Sequence, residues 1–191
     1  MNIHSAKILA ALLFTVCASQ SYASNLVVNG QFSSLNTNGM PTSWTFTPAP
    51  SGSDFYIDTT NQNNLGNAAA FGATGTQDDT LSQAINTTAG DSYRISFDLT
   101  TDYTPNDFSA SFGGVTGYTE TNAVMTANLI SFLAVANNSS TLLSFAGLNV
   151  PAFNFLQDVS VTPVTATPLP ASGLLMLSAL ALVGGLALRR R

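Results

Sequence analysis

Residues 91–100 read DSYRISFDLT, and this order allows one regular backbone shape. In an extended chain Tyr93, Ile95, Phe97 and Leu99 fall on one side and Arg94, Ser96, Asp98 and Thr100 on the other. A helix would scatter the four apolar side chains around its axis. The same two-residue period runs through DFSASF at 107–112, with Phe108, Ala110 and Phe112 in phase. It returns in FLQDVSVT at 155–162, where Phe155, Val159 and Val161 share a face opposite Asp158 and Ser160. Further strands are predicted at 26–28, 43–47, 55–58, 68–71, 80–85, 128–135 and 141–145. Turn signals separate them, among them Asn29-Gly30, Asn38-Gly39, Ala89-Gly90-Asp91 and Gly113-Gly114. Ten short strands in one domain, with eleven phenylalanines beyond residue 23 to fill it, predict an all-β antiparallel β-sandwich. No amphipathic helix and no internal repeat precedes residue 171.

Charge narrows the functions open to such a domain. The basic residues are Lys7, Arg94, Arg189, Arg190 and Arg191, whereas all ten acids lie between Asp54 and Asp158. The middle of the chain is therefore strongly acidic, which repels phosphate backbones and excludes nucleic-acid binding.

The two ends differ from the middle. Residues 1–23 place Lys7 ahead of an uncharged apolar run at 8–17 and then small polar residues, the build of a secretory signal peptide with cleavage between Ala23 and Ser24. A run of that length forms a signal helix but is too short to span a bilayer. Its removal takes away His4, Lys7 and Cys17, the sole histidine, lysine and cysteine. The exported domain, residues 24–162, then has no disulfide, no Cys or His nucleophile–base pair and no His-based metal site. At the other end residues 171–188 carry no charge and include seven leucines. As a helix they would cover about 27 Å, close to the hydrocarbon thickness of a bilayer. The basic residues 189–191 behind them set a cytoplasmic C-terminus.

Between domain and helix, residues 163–170 form a Pro/Thr linker ending in Pro168, Leu169 and Pro170. Proline blocks helical hydrogen bonding and extends its predecessor, giving a strand-like segment that a protease cleft can bind. This order of Pro-x-Pro motif, apolar helix and terminal arginines resembles the PEP-CTERM sorting signal of Gram-negative bacteria. The match covers residues 168–191, with Leu169 where the commonest form has Glu. The resemblance implies a sorting motif made of Pro168, Leu169, Pro170, Arg189, Arg190 and Arg191. It also implies handling by exosortase after the general secretion machinery, a transient stay in the inner membrane, and delivery to the cell surface or extracellular matrix.

A second resemblance covers the domain itself. NLVVNGQFS opens it, GNAAAFG and DDTLSQAINTTAGDSYRISFDL follow, and FLQDVSVT closes it. The order is similar to galactose-binding-like jelly rolls related to carbohydrate-binding modules. It implies an opening segment beside the closing strand. It also implies a structural calcium between the two, held by an opening Glu and closing Asp residues. Here Ser33 and Gln157 stand at two of those places and only Asp158 matches, so no cofactor is expected to be required.

Sugar-binding modules present aromatic platforms flanked by polar side chains. Trp44, Tyr56, Tyr103 and Tyr118 are the candidates, with Arg94 nearby in sequence. Tyr103, in the turn-rich TTDYTPND, stands out together with Asp102 and Asn106. Asp78-Asp79 and Asp102/Asp107 are carboxylate pairs of the type glycosidases use, yet neighbours in a strand face opposite ways, and no enzyme activity is expected. The sequence thus predicts an exported surface or matrix protein, structural or adhesive within an exopolysaccharide layer or biofilm. The alternatives are a carbohydrate-binding module with a defined glycan and a permanently anchored membrane protein.

Overall fold

A computed structural model describes residues 23–60 and 66–164. The signal segment upstream of Ala23, the sorting motif, the apolar stretch 171–188 and the terminal arginines lie outside the described residues. Among the described residues no helix is long and apolar enough to cross a membrane.

The described chain forms ten strands: β1 (Thr45–Thr47), β2 (Tyr56–Asp58), β3 (Ala68–Phe71), β4 (Asp79–Asn86), β5 (Ser92–Thr101), β6 (Asn106–Phe112), β7 (Val115–Thr121), β8 (Met125–Val135), β9 (Ser140–Asn149) and β10 (Asn154–Pro163). They make two five-stranded sheets, ordered β1-β4-β9-β6-β7 and β2-β3-β10-β5-β8. All pairings are antiparallel. The fold is the all-β sandwich that the alternation predicts.

Two expectations shift. Residues 26–28 are not a strand, although they do run beside β10. Leu26 donates its N–H to the Val161 carbonyl at 2.8 Å and Val159 donates to Gly30 at 3.0 Å. Between these, the Asn25 side chain replaces the ladder, accepting from Val27 N–H at 3.0 Å and Val161 N–H at 2.9 Å. A Cβ at Gly30 would sit 2.2 Å from the Val159 carbonyl oxygen, so only glycine permits this approach. Conversely, β7 is a strand where none was predicted. It is a mostly exposed edge strand interrupted by Gly117, so it lacks the apolar alternation that marks buried strands.

The interior is aromatic. Phe71 of β3 meets Phe108 of β6 edge-on at 5.5 Å, and Phe97 of β5 meets Phe145 of β9 at 5.2 Å. Both contacts join one sheet to the other, and all four rings are fully buried. Trp44 packs between Phe32 and Phe145 and donates its indole N–H to the Asn29 carbonyl at 3.1 Å. The opening segment is tied to the first sheet by Gln83, which accepts from Val28 N–H at 2.9 Å and donates to the carbonyls of Val28 and Ser43. Burying a phenylalanine contributes up to about 3 kcal/mol. Phe145→Ala is expected to lower unfolding free energy by about 3–5 kcal/mol in urea titrations. Leu142→Ala, one strand position from Leu143 but solvent-facing, should change it by less than about 0.5 kcal/mol.

Candidate functional site

The outer face of the second sheet carries the exposed aromatic chemistry. Strand register sets it in rows. Tyr56 pairs with Ala70, Ala70 with Phe155, and Phe155 with Thr100. The adjacent inward row is Ile57, Ala69, Leu156 and Leu99, so the Tyr56 row faces out. Phe153 completes the group, meeting Tyr56 edge-on at 5.1 Å and Phe155 at 6.0 Å. Its ring lies against the bare backbone of Gly72, where an added Cβ would come within 2.4 Å of the ring. The small side chains of β3, Ala68 and Ala70, form the floor. Phe155 is buried under its neighbours, whereas Tyr56 is 37% exposed.

Carboxylates ring this cluster. Burial pushes the Tyr56 hydroxyl pKa up, and the charges of Asp58 and Asp102 push it further. Tyr56 and Asp102, far apart in sequence, therefore share one electrostatic neighbourhood. Partial desolvation by the surrounding loop also raises the Asp102 carboxyl above the usual range, although the residue stays exposed. Asp58 is buried and accepts from the Thr60 N–H at 2.8 Å and hydroxyl at 2.6 Å. Beside Phe153 a cleft of about 200 Å³ is lined by Asp54, Gly72, Thr74 and Asn149.

Of the residues singled out in the sequence, Asp102 and Tyr103 stand exposed in the loop between β5 and β6, with Tyr103 at 63%. Asn106 does not join them. It is buried, donates its amide to the carbonyls of Tyr103 and Ala123, and accepts from Ala123 N–H at 3.2 Å. Its donors are spent on pinning two loops together. Trp44 belongs to the core, and Tyr118 packs edge-on against Phe97 at 5.8 Å. Burial, then a hydrogen bond donated to Glu120, pushes the Tyr118 hydroxyl up to about 12. Phe153 and Phe155 were missed as aromatics of the outer face. Phe155 reads as core in the 155–162 alternation, and only strand pairing shows which face it takes.

The opening segment and β10 flank a cleft of about 300 Å³ that includes Ser33 and Asp158. Asp158 is exposed at a bulge, with φ of 47°. Calcium takes six to eight oxygens, usually several carboxylates. Here the amide oxygens of Asn25 and Asn29 already accept backbone N–H groups from Val27, Val161 and Ser34. Among the described residues no group of three acidic, His or Cys side chains converges. The residues present do not fit the ion that the jelly-roll resemblance implies. Asp98 lies near Asp158, and burial followed by that like charge raises its carboxyl pKa.

Asp78 and Asp79, adjacent in sequence, take different environments. Asp79 is buried and accepts from Ala49 N–H at 2.9 Å through Oδ1, while Oδ2 has no hydrogen-bond partner. Half-buried Asp78 lies within reach of the Asp107 charge. The outer face of the first sheet is unlike the aromatic one. Thr45, Ser82, Ser144, Ser111 and Thr116 form one cross-strand row of hydroxyls, with no ring to stack on.

No protein-family model matches the chain. No curated protein matches it either. Solved structures do match in fold. TmCBM61, solved in complex with β-1,4-galactotriose, superposes with a TM-score of 0.52 at 13% identity, over 74% of this chain and 99% of that one. The CBM22-1 and GH10 modules of a Clostridium thermocellum N-terminal endo-1,4-β-D-xylanase 10B, complexed with xylohexaose, give 0.51 at 16% identity, over 68% of this chain and 27% of that one. The enzymatically active domain of bacteriophage CBA120 tailspike protein 4 gives 0.54 at 14% identity. Here the match covers 73% of this chain and 21% of that one, so the chain spans about a fifth of that neighbour's length. These likenesses define the class of fold, a β-sandwich shared with carbohydrate-binding modules.

Burial, then the charges of Asp107 and Asp79, raises the Asp78 carboxyl pKa. A carboxyl raised in the folded state binds its proton more tightly there than in the unfolded chain. Stability therefore falls as pH rises through the window above the ordinary value of about 3.9. Asp78→Asn is expected to stabilise the protein at pH 7 by less than about 1 kcal/mol after solvent screening. The advantage should vanish below about pH 3, a comparison that thermal melts across pH will make.

Proposed function

We propose that this domain binds a neutral carbohydrate chain on the outer face of its second sheet. Tyr56 and Phe153 supply the stacking surface, and Asp102 and Tyr103 supply polar contacts from the adjoining loop. The observation that carries the reading is the edge-on pair of Tyr56 and Phe153 set among carboxylates, outside the core that the fold requires. Aromatic rings pack against the C–H faces of sugars, and carboxylates accept charge-assisted hydrogen bonds from their hydroxyls. The same acids repel uronate or sulfate groups, since Arg94 is the one cation among the described residues. The fold is shared with modules solved with bound oligosaccharides, which supports the reading without naming the sugar. The full-length chain on an array of neutral glycans should bind at least one class. Tyr56→Ala should weaken that binding by about tenfold or more, equivalent to about 1.4 kcal/mol. Absence of binding at millimolar glycan, or unchanged affinity in Tyr56→Ala, overturns the proposal.

The domain acts outside the cell in this reading, as a surface or matrix component. Among the described residues the last backbone bond runs from Val164 N–H to the Ser92 carbonyl at 2.8 Å, only a few residues before Pro168 in sequence. Residues 168–191 then act as a PEP-CTERM-like signal handled by exosortase, with residues 171–188 as a passing membrane anchor. Mass spectrometry of secreted material should find a species ending near Pro168 to Pro170. Recovery of cell-surface protein retaining Arg191 would instead mean permanent anchoring.

A further inference from the structure

The eleven residues of β8 form an edge of the second sheet. An edge strand exposes N–H and C=O groups that can pair with another chain, and proteins usually guard such edges with charge, proline, bulges or brevity. The other edges here are guarded. β1 and β2 are three residues long, and β7 carries Glu120 and a register shift opposite Ala110 and Ser111. β8 has none of these from residue 128 onward. Its sequence there, NLISFLAV, has no charge and no proline, and its register against β5 runs unbroken from Asn128 to Val135. Three of its outward side chains are large and apolar, with Leu129 at 74%, Leu133 at 59% and Val135 at 53% exposure.

We propose that β8 is a self-association edge, on which a second copy of this chain pairs antiparallel about a two-fold axis at Ser131. Symmetry decides the occupant. With that axis Leu129 of each copy lies opposite Leu133 of the other, flanking the two Ser131 side chains. The strand is thus complementary to itself in hydrophobicity, as an isologous interface requires. Charge points the same way. Two acidic domains repel over most of their surface, but none of the ten acids lies between residues 125 and 135. On the inner side the paired strand would present Ile130 opposite Phe132. An open groove of about 380 Å³ lies there, lined by Val115, Gly117, Phe132 and Ala134. The result is one continuous ten-stranded sheet carrying two aromatic clusters on the same face.

The test uses the full-length chain in a nonionic micelle. In a Cys17→Ser background, Ser131→Cys places two thiols within disulfide reach only if the axis passes there. Mild oxidation should then convert most of the protein to a covalent dimer, whereas Ser96→Cys, one strand inward, should stay monomeric. Sedimentation equilibrium should give twice the chain mass for the wild type. It should give a single chain mass for Leu129→Lys/Leu133→Lys, whose thermal melt checks that these solvent-facing changes leave the fold intact. A monomeric wild type, a dimer indifferent to the lysines, or a dimer that Ser131→Cys fails to trap would each overturn the proposal.

Discussion

The edge-on contacts of Phe71 with Phe108 and of Phe97 with Phe145 hold the two sheets to each other. No disulfide shares this task, since Cys17 is the chain's single cysteine. Aromatic quadrupoles favour such tilted meetings over flat stacking, and each adds a small directional preference to a large burial term. Sheets packed face to face sit about 10 Å apart, a gap that interdigitated phenylalanines fill. Everything on the outer faces inherits its position from that inner layer, because the pleat ties each outward side chain to an inward neighbour.

The aromatic cluster shows how this works. Phe71 ends β3 pointing inward, so Ala70 and Ala68 must point out, and their small size leaves room above the sheet. Phe153 and Phe155 from β10 and Tyr56 from β2 close over that room. The acids then gather at the rim by register. Asp98 lies beside Gln157 in the β5–β10 ladder, and Asp58 lies beside Ala68 in the β2–β3 ladder. The protein places apolar side chains outside its main core here, and the proposed carbohydrate site rests on that surplus.

Strands with one buried face were legible in the sequence because burial writes a two-residue period into them. β5 and β6 show this along most of their length, whereas β10 alternates only past its bulge, which turns Phe155 to the face opposite Val159 and Val161. β7 was not legible, because its inward face is covered only in part, at Tyr118 and Glu120, and Gly117 and a register shift break what alternation remains. The segment 26–28 misled for the opposite cause: it runs alongside β10, but Asn25 supplies with its side chain what a strand would supply with its backbone. The candidate site was half legible. Tyr103 and Asp102 were marked by their turn-rich loop, while Asn106, equally polar, proved to be the brace that shapes that loop. That the Asp102 charge reaches the Tyr56 hydroxyl depends on strand order and register, which no local pattern encodes.

The hydroxyl row of Thr45, Ser82, Ser144, Ser111 and Thr116 runs across all five strands of the first sheet. Strand spacing sets its members about 4.8 Å apart. Each hydroxyl both donates and accepts, so bulk solvent can wet this wall without any fixed ion to anchor it. Hydration of that kind holds no charge for dissolved electrolyte to screen, so this row keeps its water in fresh and in saline surroundings alike.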